Sequence, residues 1–232
     1  IKMASGELIM FLYADDFLVS SSIHDIISAY NKNNNIDFIS YGLQVQDLYS
    51  EKIILKSFLK RNISLSMKNA CFKHVLNHAY KKKLFDEIGY LKDLYFDNKV
   101  FFSNDREFLI RLCINEKKNY FIEKILYIMQ SHENSFTGSR SNIARIRYEH
   151  IGIAEHYLSK SNLSVKNKKT LILFKSHNLA LLFIWYILTL NIKNSFKVFL
   201  MGLKYCRFKW IYFIFSRPIV ELIYRLSVVK LF

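Results

Sequence analysis

The chain has 232 residues, 51% of them apolar and 23% charged, with 20 Phe, 15 Tyr, six Gly and a single Pro. That composition supports a buried core and excludes collagen-like, linker-rich or globally disordered organisation. Thirty-four Lys and Arg against 19 Asp and Glu give a net charge of +15, and a domain so charged seeks an anionic partner or surface.

The charge is unevenly placed. Lys160 to Phe232 holds thirteen cations and one acid, Glu221, whereas the preceding residues are nearly neutral. The sequence therefore divides into a globular body, residues 1–158, and a basic, aromatic tail, residues 159–232. Cys71, Cys113 and Cys206 are far apart and odd in number, so they form no disulfide framework or CxxC metal knuckle and point to a reducing compartment.

Leu8 to Tyr13 is a continuous apolar run that stops at Ala14-Asp15-Asp16. It reads as a strand covered on both faces in a parallel α/β core, with two acids at its carboxyl end, where ligands collect in open α/β sheets. Ser20-Ser21-Ser22 starts a helix in which Ile23, Ile26, Ile27 and Tyr30 follow helical spacing, and Asn33-Asn34-Asn35 ends it. Asp37 to Tyr41 is the next strand. Lys52 to Lys60 is a short basic amphipathic stretch, and Ile63 to Met67 a further strand. Tyr80 to Ile88 reads as a helix closed by Gly89, and Ser103 or Asn104 caps another in which Glu107 and Arg111 sit four apart, spaced as a structural ion pair. Tyr120 to Met129 is a strand ending near His132. In the tail, the apolar run Leu179 to Leu190 falls short of the roughly 20 residues that cross a bilayer. Arg, Lys, Trp and Tyr recur between residues 204 and 225, interrupted by Pro218, a pattern that suits helices lying in a membrane interface.

Adjacent carboxylates after a strand suit a hard cation such as Mg²⁺ or Mn²⁺ bridging to substrate phosphates, although Asp is also a common turn former. Four stretches, in order, add to this. Ala4-Ser5-Gly6 followed by Glu7 to Asp16 resembles the acidic-motif region of family 2 glycosyltransferases with the GT-A fold, Tyr13 standing where many members have the first Asp. Asn77 to Gly89 looks like that family's acceptor-side segment. Asn104 to Leu112 resembles its Glu-Asp-x-(Glu/Asp)-x-x-x-Arg helix, with Asn104 replacing the Glu. Tyr127 to Thr137 resembles its closing Tyr-Arg-x-His-x-x-Ser-x-Thr element, with Met129 near the Arg position.

The resemblance implies a partial GT-A domain, of α/β class, followed by the basic helical tail. It also implies that a nucleotide-binding half precedes the acidic motif, so a chain opening at Ile1 reads as the later part of a longer polypeptide. By position, Asp15 and Asp16 would hold Mg²⁺ or Mn²⁺ on the donor diphosphate, and Asp105 would be the general base for the acceptor hydroxyl. Asn104 would contact the acceptor, and His132 the pyrophosphate or the metal. The expected reaction is an inverting transfer from a nucleotide-sugar to a glycan or lipid-linked acceptor, in polysaccharide or lipopolysaccharide assembly. The expected location is the cytoplasmic inner face of the membrane, held peripherally by residues 160–232. Two other readings stand beside it: a nucleic-acid binder using the basic aromatic tail, which its apolar runs disfavour, and a degenerate transferase surviving as a membrane-bound module.

Overall fold

The structure, a computed structural model, describes residues 1–33, 35–57, 65–72, 77–89, 95–96, 99–100, 103–132 and 142–206. Residues 58–60, 63–64, 133–137 and 207–232, on which parts of the sequence reading fall, lie outside it. Chain contacts separate two compact units: residues 1–95 with 104–139, and residues 96–103 with 140–232. The step in charge at residue 159 thus lies inside the second unit.

The first unit is built on one sheet. Its strands are β1 (Leu8–Met10), β2 (Phe17–Leu18), β3 (Phe38–Asp47), β4 (Ile53–Ser57) and β5 (Asn77–Lys81). After the short hairpin strands β6 (Tyr95–Phe96) and β7 (Lys99–Val100), β8 (Asn119–Ser131) completes it. The order is β1-β5-β3-β8-β2, with β4 also on β3. Among the described residues, β3 and β8 alone pair in parallel in this sheet; β1–β5, β5–β3, β3–β4 and β2–β8 are antiparallel. The opening apolar run is therefore not a strand of a parallel core. It is three residues of strand paired with β5, and its remainder, Phe11 to Tyr13, leads into a turn.

β3 is central and covered on both faces, as its pattern of buried residues shows. Its alternate residues Ile39, Tyr41, Leu43 and Val45 pack with Ile26 and Ala29 of α1 (Ser22–Lys32). Phe38 and Ser40 point the other way, as successive strand residues must. There Phe38 meets His78 and Tyr80, and Tyr80 meets Phe85 and Phe108, which stack at 5.1 Å. Phe85 belongs to α3 (Lys82–Ile88) and Phe108 to α4 (Asn104–Ile114).

Other local expectations shift for the same reason, that strand partners are chosen by the fold. Asn77 to Lys81 is the strand β5, because it sits between β1 and β3, and the helix starts only at Lys82. Part of the basic stretch from Lys52 is the edge strand β4, whose Lys56 suits an edge. Met67 opens a helix, α2 (Met67–Phe72), not a strand end. Arg106 joins α4 to α2 by donating to the Ala70 and Cys71 carbonyls at 2.8 and 2.9 Å.

Gly89 closes α3 with φ of +89°, a conformation open to glycine at little cost. A Cβ there would also lie 3.1 Å from the Arg111 guanidinium. That guanidinium donates to the part-buried Ile88 and Gly89 carbonyls at 2.9 Å and to the buried Glu107 at 2.7 Å. Glu107 and Arg111 thus form a structural pair that locks the end of α3 onto α4.

The second unit contains α5 (Ile143–Leu158), α6 (Val165–Leu188) and α7 (Ile192–Cys206). Ile151, Leu179, Ala180, Leu182 and Val198 form its core. Within this unit the Ser103 hydroxyl and N–H both donate to Glu149 at 2.9 Å. The run Leu179 to Leu190 proves to be the later part of a 24-residue helix, the one helix among the described residues long and apolar enough to cross a membrane, by length and composition alone. Half of its apolar window is buried within the protein. Two of its polar residues meet α5, Lys175 on Glu155 at 2.8 Å and Asn178 with its Oδ1 3.1 Å from His150 Nδ1.

Replacing Glu107 by Ala strands a buried guanidinium, so Glu107→Ala should lower unfolding free energy by about 3–5 kcal/mol in chemical denaturation.

Candidate active site

The acids Asp15 and Asp16 lie in a turn closed by the Asp16 N–H donating to the Tyr13 carbonyl at 3.1 Å. The following strand fixes the turn in place. Phe17 pairs with Ile128 and Leu18 with Tyr127, so Asp16 falls opposite Met129 and beside Gln130. Residues two apart share a sheet face, which brings Asp16 onto the face occupied by Tyr127. The Tyr127 hydroxyl donates to Asp16 Oδ2 at 2.5 Å, and the Gln130 N–H donates to Oδ1 at 2.9 Å. The same hydroxyl accepts from the Tyr13 N–H at 3.3 Å. Tyr127 therefore holds both ends of the turn.

An irregularity in β8 sets up this register. Relative to β3, the pairing jumps from Ile122 to Ile125 and then to Tyr127 across Gly42. The Leu126 carbonyl accepts instead from the Val19 N–H at 3.1 Å and the Ser22 hydroxyl at 2.6 Å. Bulges of this kind redirect side chains next to functional sites.

The two adjacent acids consequently have different surroundings. Asp16 is 8% exposed, with a hydrogen bond on each carboxylate oxygen. Asp15 is exposed, and its Oδ2 lies 3.1 Å from Nε2 of His132, just past the end of β8. The two acids, adjacent in the chain, therefore have different hydrogen-bond partners. His132, the weaker candidate, is the partner of Asp15.

Asp105 lies in the first turn of α4, half-buried, with Asn104 beside it as the first helical residue. Its carboxylate acts on the same group as the acidic turn. The Tyr13 phenol is raised above its ordinary value by desolvation first, then by the Asp105 and Asp16 carboxylates. Asp105 likewise raises Tyr80, after the larger effect of burial. Tyr13 thus lies within electrostatic reach of both Asp16 and Asp105 in the first unit. Tyr127, which the sequence reading treated only as part of a motif, is the residue it missed. The signal available was the short spacing from Tyr127 to His132 on a strand that must pair beside the Asp-Asp turn.

Among the described residues, no group of three or more His, Cys, Asp or Glu side chains could by itself hold a metal. Asp15 and His132 offer one oxygen and one nitrogen donor on an exposed rim. That set fits a divalent ion which takes its other ligands from a diphosphate and water, a common manner for Mg²⁺ and accessible to Mn²⁺. Asp16, with both oxygens accepting from β8, serves the turn. Of the other histidines, His78 is buried beside the Ser40 hydroxyl at 2.9 Å, and burial pushes its imidazole down to about 3, so it stays neutral. Burial pushes the thiols of Cys71 and Cys113 up to about 12, and neither is in a disulfide.

No family profile matches the chain, and no curated protein sequence matches it. Its structure is similar to the crystal structure of S. aureus TarS 1–349 in complex with UDP-GlcNAc, with a TM-score of 0.55 and 16% identity. The likeness covers 75% of this chain and 49% of that one, so the chain spans about half the length of that structure. At this identity the likeness is one of fold. The chain has a mixed α/β fold similar to the one in that TarS structure.

Burial is the largest effect on Asp16 and raises its carboxyl above the ordinary 3.8; the Tyr127 and Gln130 hydrogen bonds oppose it, and the Asp15 charge adds to the rise. The charged form is then less favoured folded than unfolded, so this group subtracts stability as pH climbs from the ordinary carboxylate range through the raised value. Asp16→Asn should remove that slope. Denaturation curves across this window should show the variant gaining on the wild type as pH rises.

Proposed function

We propose that this chain carries the metal and acceptor side of a family 2-like glycosyltransferase that moves a sugar from a nucleotide-sugar to a glycan or lipid-linked acceptor. The observation that carries the reading is the acidic turn after β1: Asp16 is fastened to β8 by Tyr127 and Gln130, and Asp15 is set beside His132. Tyr13, which opens that turn, also lies within electrostatic reach of Asp105, the first-turn acid of α4. A fold shared with a structure holding the nucleotide-sugar UDP-GlcNAc supports it.

Each residue then has a distinct task. Asp15 and His132 hold Mg²⁺ or Mn²⁺ at the donor diphosphate. The ion, when bound, supplies charge neutralisation for the departing nucleoside diphosphate. Asp16, fastened by Tyr127 and Gln130, keeps the turn in place so that Asp15 needs little reorganisation on binding. Asp105, in the first turn of α4, accepts the proton of the acceptor hydroxyl. Asn104, next to it, donates to the acceptor. A single displacement with one base inverts the anomeric centre and requires no covalent enzyme intermediate.

The test is nucleoside-diphosphate release by the intact protein from a panel of nucleotide-sugars, UDP-GlcNAc included, with Mn²⁺ and a glycolipid acceptor fraction. Asp105→Asn should lower turnover by about 10²–10⁴-fold while leaving UDP binding unchanged. Wild-type turnover in that variant would remove Asp105 from the reaction. Loss of turnover together with UDP binding would make it structural.

A further inference from the structure

The outer surface of α6 and α7 has a composition that water does not favour. α7 exposes Ile192 at 65%, Phe196 at 62%, Leu200 at 50% and Leu203 at 37%. At about 100° per residue these four fall within an arc of about 80°. Lys193, Lys197 and Lys204, all exposed, lie along one flank of that arc. On the other flank the stripe runs into the face where Ser195 and Val198 are buried against the rest of the unit.

The turn before α7 extends the apolar surface. Leu188 is 52% exposed and Leu190 82% exposed. Leu190 also has φ of +56°. A leucine in the left-handed region carries strain that Asn or Gly would largely avoid, and an exposed leucine gains nothing from water in return. A residue strained and exposed at once points to a surface that covers it.

Charge identifies that surface. From Lys160 to Cys206 there are eight lysines and no acid. Seven of these lysines are exposed; the eighth, Lys175, pairs with Glu155 inside the unit. We propose that the α6–α7 turn and the outer stripe of α7 seat on an anionic lipid bilayer, with α7 lying in the interface plane. Leu190, Ile192, Phe196, Leu200 and Leu203 enter the boundary of the acyl chains, and Lys193, Lys197 and Lys204 reach the headgroup phosphates.

Other occupants fit less well. A second copy docked face to face would set one lysine flank against another with no acid in residues 160–206 to offset it. Single-stranded nucleic acid would need a row of stacking aromatics, and Phe196 is the one aromatic in the stripe. α7, at 15 residues, is about 22 Å long and too short to span. The proposal rests on the second unit alone and holds whether or not the transfer reading does.

The test is co-sedimentation of the intact protein with vesicles of phosphatidylcholine alone or mixed with phosphatidylglycerol, alongside its oligomeric state in solution. The protein should bind the anionic vesicles, weaken with added salt, and ignore the neutral ones. Lys193→Gln and Lys197→Gln should each cost about fivefold in vesicle affinity. Phe196→Ser with Leu200→Ser should cost at least about tenfold. Leu190→Asn should weaken vesicle binding while its melting temperature holds or rises, a combination that a purely structural leucine would not give. Vesicle affinity unchanged in these variants overturns the proposal. So does a dimer that the apolar substitutions dissociate while vesicle binding persists, which would assign the stripe to a second copy.

Discussion

The first unit depends on how one buried carboxylate is held. Asp16 is almost enclosed, yet each of its oxygens accepts a hydrogen bond from β8. An ionised group this buried costs several kcal/mol without such partners. With them, the turn from Tyr13 to Asp16 is fastened to the sheet, and Asp15 is presented outward. Tyr127 makes the arrangement coherent because its one hydroxyl donates to Asp16 and accepts from the Tyr13 N–H. Burial and the Asp16 charge both raise this phenol above its ordinary value, so it remains a proton donor across the working pH range. The bulge in β8, where the Leu126 carbonyl accepts from Val19 and Ser22, allows Tyr127 and Gln130 to reach Asp16 together.

The helices with a clear apolar period were legible in the sequence. α1 and α4 fall where the spacing of Ile and Leu, and the polar residues before them, placed them. β8 was legible from its density of Ile and Tyr. What local pattern could not convey was partnership. A short apolar run before two acids looks the same whether it lies in a parallel core or, as here, pairs only with β5. Asn77 to Lys81 carries helix-compatible residues but lies between two strands, and the ladder bonds to both outweigh local preference. The step in charge at residue 159 falls inside the unit in which α5, α6 and α7 share one core.

Of the candidate site, the sequence revealed the acids but not their division of labour. Adjacency alone makes Asp15 and Asp16 equivalent. Only the pairing of Phe17 with Ile128 turns one inward and leaves the other beside His132. The position of Asp105 relative to them, some ninety residues away in the chain, depends on α4 packing through Phe108 against Tyr80 of β5. The aromatic contacts that hold α3 and α4 to the sheet therefore also set the distance between the acidic turn and the candidate base. The tyrosines that link these elements look in the sequence like part of a general aromatic excess.

The central claim is that Asp15 and His132 form the rim of a cleft which Asp105 faces. The most direct measurement is an anomalous difference map from crystals of the intact protein soaked with Mn²⁺ and UDP. The account predicts a manganese peak between the Asp15 carboxylate and the His132 imidazole, with Asp105 on the opposite wall of the same cleft. A peak elsewhere, or none at saturating Mn²⁺ and UDP, would contradict it.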